Sequence, residues 1–299
     1  MLGCPAAGDP TQYVFERAMA AAGLDWRFVT FDVPLERAED AIRGVRALGF
    51  RGAVLTGPLR QSGLPLVDSA SPTAAFAGAV GMIDRQPEGL VGHMTDGRAA
   101  VEAIRSHFDP VGAAVLLIGS GPAAAATALE LSLAGVGRLL LANRSTDRST
   151  TLAERLRGIG GDRTPDATRA PDATRAPDAT PAPAPDAPPA AVMAVETLPC
   201  ERGKPLAIPE EVGLVVSAIP AADKTVIELD AVRPDLVMAD LALGGEPSAL
   251  VAQGARHGAC TIDGIEIRCA RTAIEFVQWT GLEPNADLLR EALEEFLSA

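Results

Sequence analysis

The 299-residue sequence predicts an α/β fold, and three observations carry that prediction. Segments that read as strands and as helices alternate along most of the chain. One of them, "AAVLLIG", is apolar throughout, as strands buried on both faces are, and it runs through a glycine turn into the helical "PAAAATALELSLAG". Hydrophobic residues are 47% of the chain and aromatic ones only 4%, so a sizeable core must be built from Ala, Val, Leu and Ile.

The elements follow in order. "YVFERAMAAAGLDW" has helical spacing and a stop at Gly23. "RFVTFDV" alternates like a strand. "LERAEDAIRGVRALGF" is an amphipathic helix, and "GAVLTG" a short strand. "SPTAAFAGAVGMI" reads as a helix and then a strand. This repeated order predicts a mainly parallel sheet in the N-terminal part. "DGRAAVEAIRSHF" is a helix leading into a second α/β unit. That unit holds "AAVLLIG", its helix, and the strands "RLLLAN", "GLVVSAI" and "LVMADLAL". "TAIEFVQWTG" and "ADLLREALEEFLS" are two closing helices. Between the strands, residues 164–190 carry a decaying six-residue repeat, PDATRA, rich in proline. Proline removes backbone donors and little here can be buried, so a disordered surface insertion is expected.

Composition excludes several functions. A formal charge of -13 opposes nucleic acid and anionic membranes as partners. Cys4, Cys200, Cys260 and Cys269 form no close pair, and the only histidines are His93, His107 and His257, so no metal site is expected. Scattered cysteines suit a reducing cytoplasm. The start, "MLGCPAAGDP", lacks the features of a secretory leader.

"VLLIGSGPAAAA" places Gly119, Ser120 and Gly121 between a strand and a helix, with Ala124 in the third slot of G-x-G-x-x-A. The first glycine makes the turn, the second admits a pyrophosphate, and a small third residue packs helix on strand. The helix N-terminus then offers donors to phosphate. The next strand ends at Asn143, followed by Arg144, Ser145 and Arg148, with no acid for a ribose hydroxyl. Two guanidinium groups suit a 2′-phosphate, so NADP is expected over NAD. The competing reading is a pair of solvated arginines opening a helix.

With these segments in place, the chain resembles the shikimate dehydrogenase family over nearly its whole length, the repeat excepted. The resemblance rests on "GLDWRFVTFDVP", "ALGFRGAVLTGPLR", "GAVGMI", "GLVGHMTDGRAA", "GSGPAAAATALEL", "ANRSTDR", "VVSAIP" and "CTIDGIEIRCARTAIEFVQWTG". It implies a substrate domain (1–97 and 263–299), a Rossmann NADP-binding domain (98–262) and a cleft between them. It implies reversible reduction of 3-dehydroshikimate by NADPH, a monomer or homodimer, and cofactor contacts that include Ser217 and Gly264. On the substrate side it implies Thr56, Asp96 and the positions of Asp9, Thr11, Gly81 and Arg271.

Several of those positions depart from the family pattern. Arg60 stands where the family has its lysine, Gly81 where it has asparagine, Leu243 where it has tyrosine and Arg271 where it has glutamine. Asp9 and Thr11 fall where two serines bind a substrate carboxylate. Arginine keeps its proton at any working pH, so Arg60 is a poor general acid or base but can stabilise an oxyanion. The only lysines, Lys204 and Lys224, lie outside the expected substrate domain. Asp9 would repel a carboxylate; it points to an amine on the substrate, or to neutralisation by Arg60 or Arg271. Asp96 has two readings, a substrate or proton-relay group and a helix N-cap. Three functions remain open: an NADP-dependent dehydrogenase with altered substrate or weak activity, a non-catalytic NADP-binding protein, and another enzyme on the same scaffold. No nucleophile elbow supports the last.

Overall fold

A computed structural model describes residues 1–161, 193–201, 203–220, 227–228 and 231–299. The PDATRA repeat lies outside the described residues.

The N-terminal part opens with β1 (Leu2–Gly3), α1 (Thr11–Ala21), β2 (Phe31–Asp32) and α2 (Ala38–Ala47). Gly23 ends the first helix region with φ +69°, a left-handed conformation that glycine adopts at no steric cost. It continues through β3 (Gly52–Val54), α3 (Leu59–Gly63), β4 (Ser69–Ala70), α4 (Pro72–Ala77), β5 (Met82–Gln86), β6 (Gly89–His93) and α5 (Asp96–Arg105). "RFVTFDV" contributes only the two exposed residues of β2, which pair in parallel with β1.

The four-stranded sheet has the order β3-β5-β6-β4 and is mixed, which corrects the mainly parallel expectation. β5 runs antiparallel to both β3 and β6, and only β4 and β6 are parallel. The cause is a hairpin: Pro87 and Glu88 alone separate β5 from β6, and two residues cannot make a crossover.

The second sheet is built from β7 (Ala114–Ile118), β8 (Arg138–Asn143), β9 (Ala194–Pro199), β10 (Val212–Ser217), β11 (Val237–Asp240) and β12 (Cys260–Ile262). Between them lie α6 (Pro122–Leu133), α7 (Thr146–Gly161) and α8 (Ala249–Arg256), and α9 (Gly264–Thr280) and α10 (Ala286–Ser298) follow. All its pairings are parallel, in the order β12-β11-β10-β7-β8-β9. Counted from β7 this is the doubly wound Rossmann order, with its switch point between β7 and β10. β7 and β8 are nearly all buried, as their unbroken apolar runs require.

Small residues join the two sheets. α5 packs against α6 and α9. A Cβ at Gly97 would lie 2.4 Å from the Ala126 carbonyl, so only glycine lets the α5 backbone approach α6 this closely. One apolar cluster therefore runs from Leu55 and Ile83, through Ala99, Ala100, Ala124 and Ala128, to Leu117 and Leu141. Among the described residues no helix is long and apolar enough to cross a membrane.

Candidate active site

The phosphate turn has the geometry its glycines require. Gly119 has φ +119°, and a Cβ there would meet the Ala218 carbonyl oxygen at 2.9 Å. Its amide donates to Ala142 O at 2.8 Å, which ties the turn to β8. Gly121 caps α6 without any side-chain bond, and a Cβ there would meet nothing within 4 Å. No atom crowds the space beside Gly121 at the N-terminus of α6, which leaves room for a phosphate there. Ala124 is fully buried, as a small third residue should be. Beyond β8, Asn143 Nδ2 donates to Ser145 O at 3.0 Å and shapes the loop that carries Arg144. Arg144 and Arg148 are both exposed. Ser120 is half-buried in the turn itself. Ser217 is buried and hydrogen-bonds Asp240, whose carboxyl is pushed up by burial. Gly264 opens α9, where a Cβ would stand 2.0 Å from Ala242 O, so close backbone packing demands glycine there.

The charged site gathers side chains from four places. Arg60, on α3, donates through Nε to Leu55 O at 3.0 Å and through Nη1 to Asp96 Oδ1 at 3.1 Å. Arg271, on α9, places Nη1 3.5 Å from the same oxygen and donates through Nε to Glu275 Oε1 at 2.8 Å. Thr95 Oγ1 donates to that Glu275 oxygen, also at 2.8 Å. Arg268 Nη2 lies 2.9 Å from Asp9 Oδ1, and Thr11 donates to the same oxygen through both its amide and its hydroxyl. Thr56 sits on the loop before α3, its amide donating to Leu2 O at 3.1 Å. Gly81 is held by its amide on His93 O and its carbonyl under Leu55 N, each at 2.8 Å.

The electrostatics follow from these contacts. Burial pushes the Asp96 carboxyl up, but Arg271, Arg60 and Arg268 outweigh it and hold the group down at about 2. Burial likewise opposes ionisation of Asp9, and Arg268 and Thr11 hold its carboxyl below the usual range. Burial lowers Arg271, but Asp96 and Glu275 more than restore it, above the ordinary arginine value. Two buried atoms in the site have no hydrogen-bond partner, Asp96 Oδ2 and Arg271 Nη2. Both face Gly81, where a Cβ would lie 3.4 Å and 3.8 Å from them. Among the described residues no group of three or more His, Cys, Asp or Glu side chains could hold a metal ion.

One curated relative matches almost from end to end: a shikimate dehydrogenase (NADP(+)) of Rubrobacter xylanophilus, 32% identical over 98% of this chain and 94% of its own. The chain belongs to the shikimate dehydrogenase family. The family model for the shikimate dehydrogenase substrate binding domain matches residues 3–83. The fold is shared with solved structures of lower identity. A shikimate 5-dehydrogenase of Thermus thermophilus, in complex with NADP(H) and shikimate, aligns with TM-score 0.74 at 24% identity over 99% of this chain and 98% of that one. A ligand-free 5-ketofructose reductase of Gluconobacter aligns with TM-score 0.80 at 22% identity over 98% and 96%.

Two readings of this shikimate dehydrogenase relative's site residues are corrected. Asp9 pairs directly with Arg268 at 2.9 Å, Arg271 adds a weaker pull on the same carboxyl and Arg60 takes no part, so nothing calls for an amine on the substrate. Asp96 is not a helix cap: Thr95 is the N-cap residue of α5, and the Asp96 side chain turns to the two arginines. Arg268, Glu275 and Thr95 were not foreseen. The signal for the first two was present, since Gly264, Arg268, Arg271 and Glu275 follow helical spacing along one face of α9. Charges aligned on a face that also buries Ile267 and Phe276 must find partners inside.

Proposed function

We propose that this chain is an NADP-dependent oxidoreductase that interconverts a cyclic ketone, of which 3-dehydroshikimate is the family example, and its alcohol. Its phosphate-binding half is residues 98–262 and its substrate half 1–97 with 263–299; the two sheets draw on these same ranges. The observation that carries the reading is positional. Asp96 opens α5, and the next residue, Gly97, packs backbone to backbone on α6, the helix that follows the phosphate turn. The Arg60–Asp96 pair is thereby set beside the cofactor helix.

The bound cofactor supplies or accepts the hydride. Gly119, Gly121 and the first turn of α6 would hold its pyrophosphate, and Arg144 and Arg148 its 2′-phosphate. As a carbonyl carbon gains hydride, its oxygen gains negative charge and then a proton. Arg60 can stabilise that oxygen with its guanidinium, which Leu55 O and Asp96 hold in place. Neither partner of the pair exchanges a proton near neutrality: arginine stays protonated and Asp96 titrates at about 2. The pair therefore supplies no proton to the developing alkoxide, which supports weak activity on the family substrate or a changed one. The same feature favours the second reading, a non-catalytic NADP-binding protein.

Steady-state shikimate oxidation with NADP+, with NADPH binding measured on the same sample, tests the proposal. Turnover that Arg60→Ala abolishes supports it. Tight NADPH binding with no turnover across a panel of cyclic ketones and alcohols sinks the enzymatic reading and leaves the second.

A further inference from the structure

Resting on the oxidoreductase reading, we infer that the substrate of this site is an uncharged polyhydroxylated ketone or alcohol, one hydroxyl of which bridges Asp96 Oδ2 and Arg271 Nη2 beside Gly81.

The first support is the charge balance. Three guanidinium groups meet three carboxylates, and each has a partner: Arg60 with Asp96 at 3.1 Å, Arg268 with Asp9 at 2.9 Å, Arg271 with Glu275 at 2.8 Å. No cation is left over for an anionic substrate. A fourth carboxylate would leave the site net negative where burial is already costly. The second support is Asp9 itself. Its Oδ1 takes the Thr11 amide, the Thr11 hydroxyl and Arg268 Nη2. These are the donors a visiting carboxylate would need, and a protein carboxylate holds them with its charge intact.

The third support gives the recognised group. The two unpartnered buried atoms are one acceptor and one donor, and both lie within 4 Å of where a Cβ on Gly81 would stand. Arg271 is 4% exposed, so its free N–H has little recourse to bulk water. A carboxylate has no proton for Asp96, and an ammonium has no lone pair for Arg271. A hydroxyl has both, and satisfying two buried orphans at once is where affinity is gained. Gly81 leaves the room: a Cβ there would lie 3.4 Å from Asp96 Oδ2, 3.5 Å from Met94 Sδ and 3.8 Å from Arg271 Nη2.

The test uses the full chain with NADP+ bound and three probes: shikimate, its uncharged methyl ester, and myo-inositol. The expected result is that the methyl ester or inositol binds at least about tenfold more tightly than shikimate. Asp9→Ser should raise shikimate affinity about tenfold by freeing Arg268 and Thr11. Gly81→Ala should weaken the uncharged probe about tenfold while NADPH affinity holds, because its methyl group occupies the hydroxyl's place and the backbone there needs no glycine. Tighter binding of shikimate by the unmodified chain overturns the inference, as does NADPH binding with no affinity for either uncharged probe. Unchanged discrimination in Asp9→Ser also overturns it. Loss of NADPH binding in the unmodified chain would instead remove the functional reading on which this one rests, and both fall together.

Discussion

Around the phosphate turn, the residues that matter lie within a few positions of one another. Gly119, Gly121 and Ala124 span six residues, and their neighbours are apolar or backbone. Around Arg60 the opposite holds. Asp9, Arg60, Asp96 and Arg268 come from elements far apart in the chain, and their neighbours are charged. The first region is set by sterics, where one carbon atom decides whether the turn closes. The second is set by charge pairing, where every member depends on partners that local sequence does not supply. The contrast teaches that the two halves fail differently: the turn loses a ligand, and the cluster loses stability.

Four outcomes would break or sharpen that contrast. The largest is expected for Arg271→Met. It leaves Asp96 with one partner and Glu275 without its guanidinium in a buried site, at a cost of about 3–5 kcal/mol in denaturant unfolding. A cost under about 1 kcal/mol would mean that the cluster is not the structural element described here. Next is Gly119→Val. The φ of +119° and the 2.9 Å approach to Ala218 O leave no room for a side chain. NADPH affinity should fall roughly 100-fold, with a smaller loss of stability.

The third outcome is a pH effect on the charged half. The folded-state value for Asp96, about 2, lies below its ordinary 3.8. A depressed carboxylate contributes stability above its unfolded value and loses it as pH falls through the folded one. About 2 kcal/mol should therefore disappear between roughly pH 4 and pH 2, and Asp96→Asn should remove that dependence. Asp9 is depressed too and adds in the same direction. A stability that is flat over this range in the unmodified chain would contradict the pairing. The smallest effect is expected for Arg144→Ala, an exposed residue. It should weaken NADPH about tenfold and leave NADH unchanged; equal effects on both would refute the 2′-phosphate role.

The turn was legible because its signal is local. A continuous apolar strand, two glycines and a run of alanines can form little other than a strand–turn–helix, and β7, Gly119–Gly121 and α6 do so. The helical spans of α1, α5 and α10 and the second half of α9 were legible for the same reason: apolar residues recur at helical spacing in each. The hairpin of β5 and β6 was not. Its two-residue turn, Pro87–Glu88, lacks the glycine–asparagine chemistry that marks most tight hairpins, so strand followed by helix looked like a parallel unit.

The sequence by itself determined the nucleotide-binding half, the small Ala124 that packs α6 on its strand, and the loss of a titratable base at position 60. Each of these depends on residue size, backbone freedom or intrinsic proton affinity, properties that a residue carries with it. Only the tertiary structure decided the direction of β5, the cancellation of Asp9 by Arg268, 259 residues away, and the two unpartnered atoms around Gly81. Those depend on which charges meet and at what distance. Coulomb attraction and desolvation act through space, and the chain must close before either has a partner.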